Sequence, residues 1–448
     1  MNSRCFIING QNTLRGDVYI KGAKNLVNKL LIASLLTPEP CVISNVPNIT
    51  EIDITIDLCR ECGSIVNWDK TTNQVYIHTP VITNTILSQK YSGSNRIPVL
   101  LLGVLLNRTD RTIQLPYVGG DAIGDRPVNF HTSALKQLGA YIDIKPSTSG
   151  LPTIEARTQN GFIGTEITLS YPSVGATENI LFAACGANGK TIIHNAAIEP
   201  EIIEIISFLQ HLGCQIQFVS DRTIIVNGVK SRKGTNFHAI EDRNVVVSYA
   251  TAALLTNGYI TLHGVNQRNI LGFISTYYQL GGGFKVLDNR ISFFRKKQST
   301  DKIHIETNTH PGFMTDWQQV VTVALTQHHG NSTVHETVYE NRFGFTKALN
   351  KMGAAITLTS ECLGLLPCRF NSNKHLHSIR VKGPTPLTGM EVDVPDLRAG
   401  FAYVLAGLIA EGTTTLYNAD LIDRGYESIV QTLQSLGADI SQNNKAIV

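Results

Sequence analysis

The sequence lacks any strong net charge, since 38 Lys and Arg residues are balanced by 35 Asp and Glu residues, a formal net charge of +3. This balance gives no argument for nucleic acid or an acidic membrane surface as a partner. The sequence also lacks an apolar run approaching the roughly 18 residues that a membrane-spanning helix needs. Residues 1–6 show no basic segment leading into an apolar core, so no leader is indicated. We therefore expect a cytoplasmic protein with no membrane or nucleic-acid partner.

Cysteines are too sparse for a disulfide scaffold, with eight in 448 residues. Cys59 and Cys62 form a Cys-x-x-Cys pair in the helical segment from Ile54 to Gly63, but no second pair or nearby histidine completes a metal site. We interpret both as buried reduced thiols. The run Gln327-His328-His329 is interpreted as a polar loop. The sequence therefore predicts neither a metal site nor a cofactor.

A repeated element organises the chain, which is long enough for two domains. An amphipathic helix ending in Leu-x-x-Leu-Gly, or a close variant, is followed by a β-rich run, and the pattern recurs about every 70 to 85 residues. The six copies are Cys59–Gly63, Leu135–Gly139, Leu209–Gly213, Tyr277–Gly281, Leu349–Gly353 and Leu433–Gly437. The chain is thus predicted to carry six copies of one supersecondary unit.

A second element keeps the same period: a helix rich in Ala, Leu and Gly runs into a Thr- and Val-rich strand, as in Leu405–Leu416. A helix that is apolar all round belongs in the interior, with sheets around it. Six such units predict two three-unit α/β domains with helices inside and sheets outside. The boundary is expected between Ser231 and Asp242, where basic residues and Gly234 interrupt the apolar pattern.

The stretch Gly119–Pro127 concentrates glycines with Asp121, Asp125 and Arg126 between two apolar segments. Glycines allow a backbone to approach a ligand closely. By itself the stretch fits either a ligand-binding loop or a surface turn with a solvated ion pair.

Several short motifs together resemble the enolpyruvyl transferase family over nearly the whole chain. They are Gly22–Asn25, Arg126–Val128, Ser173–Asn179, Thr315-Asp316, Glu340–Phe343, Asp396–Ala399 and Asp423–Glu427. The resemblance implies a two-domain inside-out α/β barrel, three units per domain, with domains 23–241 and 1–22 plus 242–448. It also implies an active site in the cleft between the domains and a mobile loop near 115–126.

The implied reaction transfers the enolpyruvyl group of phosphoenolpyruvate to the 3-hydroxyl of UDP-N-acetylglucosamine and releases phosphate, at the start of peptidoglycan precursor synthesis. No cofactor is implied, and the oligomeric state stays open. One alternative is 5-enolpyruvylshikimate 3-phosphate synthase, which shares fold and co-substrate. Others are a catalytically silent paralogue that binds the sugar nucleotide, or an enzyme acting on a related nucleotide sugar.

The resemblance assigns cations to phosphoenolpyruvate, whose phosphate and carboxylate need them. Lys24, Arg126 and Arg424 hold it, and Arg398 lies near the same site. Arginine suits a bidentate grip, while lysine acts as a point charge. Arg342, taken alone, is expected to form a surface ion pair.

The sugar nucleotide is expected against a larger set of residues: Asn25, Arg96, His131, Ser173, Val174, Gly175, Asp316 and Val338. Backbone groups of Ser173–Gly175 precede an apolar helix, Ala176–Ala184, whose positive end would receive the diphosphate. Tyr171 stands where some relatives have lysine.

Two aspartates carry the proton chemistry that the resemblance implies. Asp316 is the base at the sugar hydroxyl, or alternatively the N-cap of a helix from Trp317 to Thr326. Asp121 stands where many relatives have cysteine, and it is expected to deliver the proton to phosphoenolpyruvate. A carboxylic acid does not supply the thiolate that fosfomycin alkylates, so resistance to covalent inactivation is expected.

Overall fold

The computed structural model describes residues 2–93, 95–119, 128–146, 152–297, 299–300, 302–365, 368–371 and 374–446. The described chain divides into two compact units. The central unit holds residues 21–119 and 128–240, and the terminal unit holds residues 2–20 and 241–446. Asp121 and Arg126, on which two predictions rest, lie outside the described residues.

Twelve α-helices occur in the described ranges, none longer than 13 residues. They are α1 (Lys24–Ser34), α2 (Thr50–Glu61), α3 (Leu101–Leu105), α4 (Asn129–Gln137), α5 (Val174–Ala184), α6 (Pro200–His211), α7 (Arg243–Leu255), α8 (Leu271–Gln279), α9 (Gln318–Thr326), α10 (Thr346–Lys351), α11 (Leu397–Ile409) and α12 (Ile429–Ser435). No helix in these ranges has the length and hydropathy to cross a lipid bilayer.

The same ranges contain 23 strands. They are β1 (Asn2–Asn9), β2 (Arg15–Tyr19), β3 (Cys41–Ser44), β4 (Ile65–Asp69), β5 (Gln74–His78), β6 (Ile113–Pro116), β7 (Tyr141–Lys145), β8 (Thr153–Arg157), β9 (Glu166–Thr168), β10 (Lys190–His194), β11 (Gln215–Phe218), β12 (Ile224–Asn227), β13 (Asn236–His238), β14 (Tyr259–His263), β15 (Gly282–Leu287), β16 (Arg290–Arg295), β17 (His304–Glu306), β18 (Gly330–His335), β19 (Ala355–Thr359), β20 (Ser378–Gly383), β21 (Glu391–Asp393), β22 (Thr413–Tyr417) and β23 (Asp439–Ala446).

The described strands form six sheets, three in each unit. In the central unit the orders are β13-β3-β5-β4, β11-β12-β10-β9 and β6-β8-β7. In the terminal unit they are β15-β16-β14-β2, β17-β18-β20-β19 and β21-β22-β1-β23. Each four-stranded sheet has one parallel pair at an edge and antiparallel pairs elsewhere.

The glycine that ends each Leu-x-x-Leu-Gly element has a structural reason. Gly63, Gly139, Gly213, Gly281, Gly353 and Gly437 all have positive φ, between 85° and 115°. Each follows a helix of the even-numbered series, from α2 to α12. Glycine adopts this conformation without the clash that a Cβ introduces, and it ends the helix.

Each unit has its own hydrophobic core. The most apolar helices are enclosed: in α11, twelve of thirteen residues are buried, including Arg398 at its start. Strands alternate instead, as in β5, where Val75 and Ile77 are buried between more exposed neighbours. Because a helix buried all round needs sheets to cover it, this pattern gives interior helices and sheets with one face toward solvent.

Candidate active site

In the central unit, the N-terminus of α5 presents a set of backbone donors. Ser173 is the N-cap, and its hydroxyl oxygen accepts a hydrogen bond from the Ala176 backbone N–H at 3.4 Å. The first N–H groups of a helix lack partners within it and carry a partial positive charge. The helix predicted from Ala176 thus begins at Val174, and residues 173–175 form its start.

Gly175 lies directly against the His131 imidazole. A Cβ on Gly175 would sit 2.9 Å from His131 Cε1 and 3.1 Å from Nε2. Only a residue without a side chain therefore fits between the α5 N-terminus and this ring.

His131, on α4, is held neutral and in one tautomer. Burial, followed by the positive charge of Arg96, lowers the pKa of His131 to about 3. The Asn179 side-chain amide donates to Val99 O at 2.9 Å and lies 3.3 Å from His131 Nδ1. Because an amide N–H can only donate, Nδ1 is the acceptor and Nε2 carries the proton. His131 thus offers an uncharged N–H donor beside the α5 N-terminus.

Lys24 is the first residue of α1, next to Asn25, and both are half-buried. Its Nζ lies 4.0 Å from Oε1 of Glu51, a buried carboxylate on α2. The start of α1 is fixed by the Ala23 N–H, which donates to Ile240 O at 2.8 Å. Since a cation at a helix N-terminus adds to the positive end of the dipole, an anion is favoured here.

Arg96 is half-buried at the start of a 3-10 turn, Ile97–Leu100. The chain that leads into the glycine-rich stretch is tied to the same segment. The Gly119 N–H donates to Asn95 O at 3.0 Å, and a Cβ on Gly119 would lie only 1.9 Å from Gly93 O. The last described residue before Asp121 therefore lies against Gly93 and Asn95, the latter next to Arg96 in the sequence.

In the terminal unit, Asp316 is clamped by two buried arginines. Its Oδ1 lies 2.5 Å from Arg342 Nη2 and its Oδ2 lies 3.1 Å from Arg398 Nε. The side chains of Arg342 and Arg398 are 2% and 6% exposed, while Asp316 is 18% exposed. Two guanidinium groups thus compensate the charge of this largely buried carboxylate.

One prediction about this cluster is wrong, and one of the alternatives for Asp316 is excluded. Arg342 was expected in a surface ion pair, but its side chain is buried and its ion pair with Asp316 lies within the unit. Asp316 was expected as an N-cap alternative, but Trp317 is the N-cap of α9 and Asp316 lies in the preceding 3-10 turn, Thr315–Trp317. Its carboxylate is directed to the guanidinium groups instead.

Glu336 connects the segments on either side of the Asp316 cluster through hydrogen bonds, and the sequence did not indicate this role. This fully buried carboxylate accepts from Thr315 Oγ1 at 2.8 Å and Gln318 Nε2 at 3.2 Å on the Asp316 side. It also accepts from the backbone N–H groups of Val338 and Tyr339 at 2.7 and 3.1 Å. Burial raises its pKa. Its only sequence signal is an acidic residue directly after the end of a predicted strand.

Gln319 completes the surroundings of Arg342. With its amide oriented to satisfy its neighbours, its oxygen accepts from Arg342 Nε at 2.7 Å, and its nitrogen donates to the carbonyls of Thr315 and Asp316 at 3.2 Å each. Arg342 is therefore fixed by a carboxylate and an amide together.

Arg398 enters the cluster from the first turn of α11. Asp396 caps this helix by accepting from the Arg398 and Ala399 N–H groups at 2.8 and 3.0 Å. Burial lowers the pKa of Arg398, but the charges of Asp316, Tyr426 and Asp242 outweigh it, so the net shift is upward. Arg398 thus remains a fixed cation.

Val338 and Arg424 occupy the remaining predicted positions of the terminal unit, and both are half-buried. The Val338 N–H is engaged by Glu336, and its carbonyl accepts from Arg369 Nη2. Arg424 follows Asp423, which pairs with Arg4. The structure therefore brings Asp316 and Arg398 into contact.

A cavity of about 400 Å³ adjoins the cluster and is lined in part by Gln319, Arg342 and Asp396. Its other charged lining residues are Lys347, Lys351, Glu391 and Asp393. The formal charges of its lining residues balance, with three cations and three carboxylates.

Comparison with known sequences gives full-length matches. Residues 8–433 match a family described as EPSP synthase (3-phosphoshikimate 1-carboxyvinyltransferase). The UDP-N-acetylglucosamine 1-carboxyvinyltransferase of Protochlamydia amoebophila is 47% identical over 97% of this chain and 93% of its own length. The protein of the same name from Chlamydia trachomatis serovar D is 45% identical over 96% of each chain.

Solved structures share the architecture at lower identity. The enolpyruvyl transferase NikO from Streptomyces tendae matches with a TM-score of 0.86 at 20% identity, over 100% of both chains. EPSP synthase from Acinetobacter baumannii matches with a TM-score of 0.73 at 16% identity, over 99% of this chain and 100% of its own. These likenesses confirm a mixed α/β fold of the kind those transferases have.

Proposed function

The chain belongs to the enolpyruvyl transferase family, and we propose that it transfers the enolpyruvyl group of phosphoenolpyruvate to the 3-hydroxyl of UDP-N-acetylglucosamine, releasing phosphate. It is an enzyme, a carboxyvinyltransferase. The observation that carries the choice of acceptor is the 45–47% identity, over nearly the full chain, to relatives named for UDP-N-acetylglucosamine. We assign the reaction to peptidoglycan precursor synthesis in the cytoplasm.

The family's finer architecture is part of the same proposal. Each compact unit would comprise three copies of one α/β unit in an inside-out barrel. The shared strand pattern of the sheets supports this, as does the positive-φ glycine after every second helix. The three-stranded sheet β6-β8-β7 fits as a reduced copy, because Ile86 forms a parallel bridge to Gln114 where other sheets have an edge strand.

The sugar nucleotide would use the α5 N-terminus for its diphosphate. The support is geometric: the N–H groups at residues 173–175, the neutral Nε2–H of His131 and the Arg96 guanidinium belong to one neighbourhood. Backbone donors and a fixed cation suit a diphosphate. Asn25, Asp316 and Val338 complete the proposed contacts.

Phosphoenolpyruvate would be held by Lys24, Arg126 and Arg424, with Arg398 near it. Lys24 at the α1 N-terminus combines a mobile charge with the positive end of a helix dipole. Arg398 is buried, capped into α11 and paired with Asp316. A cation fixed in this way would stabilise charge on the reacting group without having to reorganise.

The proton steps would use the two aspartates. In the addition step, the sugar 3-hydroxyl loses its proton to the Asp316 carboxylate as the hydroxyl oxygen bonds to C2 of phosphoenolpyruvate. At the same time Asp121 delivers a proton to C3. In elimination, a base takes a proton from the new methyl group, its electron pair forms the C2–C3 double bond again, and the C2–O bond breaks so that phosphate leaves with that bond's electrons. The Arg342 and Arg398 contacts would orient the Asp316 carboxylate for the first step.

Phosphate release tests the proposal directly. The wild-type protein with phosphoenolpyruvate should release phosphate with UDP-N-acetylglucosamine and not with shikimate 3-phosphate. Asp121→Asn should bind the sugar nucleotide yet release little phosphate. Release with shikimate 3-phosphate alone would favour 5-enolpyruvylshikimate 3-phosphate synthase. Binding of both ligands with no release under any condition would indicate a silent paralogue.

A further inference from the structure

Four potential metal ligands converge at one end of the β17-β18-β20-β19 sheet, a place that the proposed reaction does not use. They are His335 at the end of β18, His377 just before β20, and Cys362 and Cys368 in the loop between β19 and β20. One ligand atom from each lies within 4.8 Å of the others. Tetrahedral zinc ligands at about 2.0–2.3 Å from a shared ion would be roughly 3.3–3.8 Å apart, so a shift of about 1 Å would bring these atoms to that separation.

Both histidines are oriented as metal ligands. His377 Nδ1 lies 2.7 Å from the carbonyl oxygen of His375, so Nδ1 carries the proton and donates it. In the neutral ring, Nε2 then has a free lone pair for a metal. That Nε2 lies 3.2 Å from Cys362 Sγ. His335 Nδ1 contacts Ser378 Oγ at 2.8 Å, and its buried Nε2 has no hydrogen-bond partner. Fixing one ring nitrogen by a hydrogen bond while the other faces the metal is the usual arrangement of a ligating histidine.

The two cysteines differ from the others in the chain. All eight cysteines are free thiols, but Cys362 and Cys368 are partly exposed whereas the other six are buried. The Phe370 backbone N–H points at Cys368 Sγ, at 3.3 Å. An N–H donor favours the negatively charged form of sulfur, which is the form that binds metal.

We propose that His335, Cys362, Cys368 and His377 bind one zinc ion as a structural site. Two thiolates with two imidazoles suit zinc in tetrahedral coordination. Four protein ligands leave no open position for water or substrate, so the site would stabilise structure rather than catalyse.

The ion would fix a segment that has no regular secondary structure of its own. In the described residues between Thr359, where β19 ends, and Ser378, where β20 begins, no helix or strand occurs. Loops of this length are uncommon without something that orders them. A metal joining the loop to β18 supplies that constraint.

The same loop contacts the segment that carries Arg342. Arg369, which follows Cys368, donates to the Val338 carbonyl and lies 3.7 Å from Glu340. The Glu336 N–H, next to His335, donates to the His377 carbonyl at 2.8 Å. Zinc would thus hold residues 336–342 against the loop and act there by positioning.

The spacing explains why the ligands do not stand out in the sequence. Five residues separate Cys362 from Cys368 and eight separate Cys368 from His377, while His335 comes from another strand. Zinc motifs usually place their cysteines two to four residues apart. The pairing of strands β18 and β20 brings these positions together.

Zinc content of the reduced, full-length protein tests this site. Wild type should contain about one zinc per chain. The double variant Cys362→Ser, Cys368→Ser should contain almost none. His375→Ala is the matched control, because it keeps the backbone carbonyl that accepts from His377 Nδ1, and it should retain zinc. Zinc retained by the double variant would overturn the proposal.

A second measurement uses only the wild-type chain, so it does not depend on whether the variants fold. Chelator-stripped, reduced protein should bind one equivalent of cobalt(II) with the absorption of tetrahedral thiolate coordination. Added zinc should displace cobalt and lower amide hydrogen exchange in residues 336–342, with no change in α11. Failure of the stripped, reduced protein to bind cobalt or zinc would sink the proposal.

Discussion

Asp316 is proposed to act in catalysis, and it also stabilises the terminal unit. Its carboxylate compensates two guanidinium groups that are almost completely buried. A buried charge without its partner is costly, so this aspartate has a structural role in addition to the proposed catalytic one.

We expect Asp316→Asn to lower both turnover and stability. Phosphate release should fall by at least about a hundredfold, because the amide cannot accept the hydroxyl proton. The free energy of unfolding should fall by roughly 2–4 kcal/mol, because Arg342 and Arg398 lose their counter-charge. Steady-state kinetics and urea denaturation measure the two effects. Asp53→Asn, which breaks an exposed pair with Lys70 at 3.5 Å, is the control and should change neither. Full turnover in Asp316→Asn would exclude it as the base.

Asp121 determines the expected response to fosfomycin. An aspartate does not supply the soft thiolate that opens the epoxide. Wild type should therefore keep its activity during preincubation, while Asp121→Cys should lose activity with time and gain one fosfomycin mass. Intact-protein mass spectrometry distinguishes these outcomes, with Asp121→Asn as the unlabelled control. Stoichiometric labelling of the wild type at Asp121 would contradict the prediction.

At the residue scale, sequence reasoning reached those positions that sit in short local motifs. Ser173 and Asp396 were named only as members of short motifs, and the structure shows that both are also helix N-caps. The burial of Arg342 was not predictable in this way. It depends on Gln319 and Asp316, more than 20 residues earlier, and on how α9 packs beside the segment. Long-range packing decides such residues, and a single sequence does not display it.

At the scale of elements, the N-terminus of α5 combines a cap, a close glycine contact and a neutral histidine. Ser173 contributes a side-chain cap, whereas Gly175 contributes the space that the His131 ring occupies. The two residues therefore affect stability and ligand binding differently.

We expect Ser173→Ala and Gly175→Ala to separate these roles. Ser173→Ala should cost about 1 kcal/mol of stability through loss of the cap, while affinity for UDP-N-acetylglucosamine changes little because backbone N–H groups remain. Gly175→Ala should weaken that affinity at least about tenfold, because its Cβ would displace His131. Calorimetric titration and thermal unfolding measure both. Unchanged affinity in Gly175→Ala would show that the diphosphate binds elsewhere.

The repeated helix ends are the elements that the sequence predicts best. Each Leu-x-x-Leu-Gly motif encodes its own termination, because the glycine adopts positive φ within a few residues of the last helical turn. Strand pairing is harder to predict from the sequence. Strand β1 pairs with β22 and β23, so that Phe6 lies opposite Leu416 and Gln442. Such contacts span almost the whole chain and leave no local signal.

At the scale of the whole molecule, the buried carboxyl of Glu178 makes stability depend on pH. Burial raises its pKa to about 7, with Glu201 and Glu199 adding to the shift and Lys29 opposing it. Its Oε1 is buried without a hydrogen-bond partner. The folded state therefore favours the protonated acid more than the unfolded state does.

Stability should accordingly fall as pH rises. The unfolded state ionises near the ordinary value of 4.5 and the folded state near about 7, so stability contributed by the protonated form is lost across this window. Glu178→Gln removes the titration. Its advantage over wild type should grow by roughly 2–3 kcal/mol between about pH 5 and pH 8. Thermal unfolding across this range measures the difference, and a pH-independent difference would refute the assignment.

The family and the mixed α/β fold were predictable from sequence because seven short motifs occur in order over most of the chain, and the comparisons confirm both. The acceptor is a finer matter. We propose that it depends on contacts of Asn25, Val338 and Arg96 with the sugar nucleotide, which one amino-acid sequence does not display.

The most direct test is the identity of the product formed from UDP-N-acetylglucosamine and phosphoenolpyruvate labelled with carbon-13 at C2. The account predicts an enol ether whose labelled carbon couples through oxygen to C3 of the sugar, together with one phosphate per product. Unreacted phosphoenolpyruvate, or a label joined to any other position or acceptor, would contradict it.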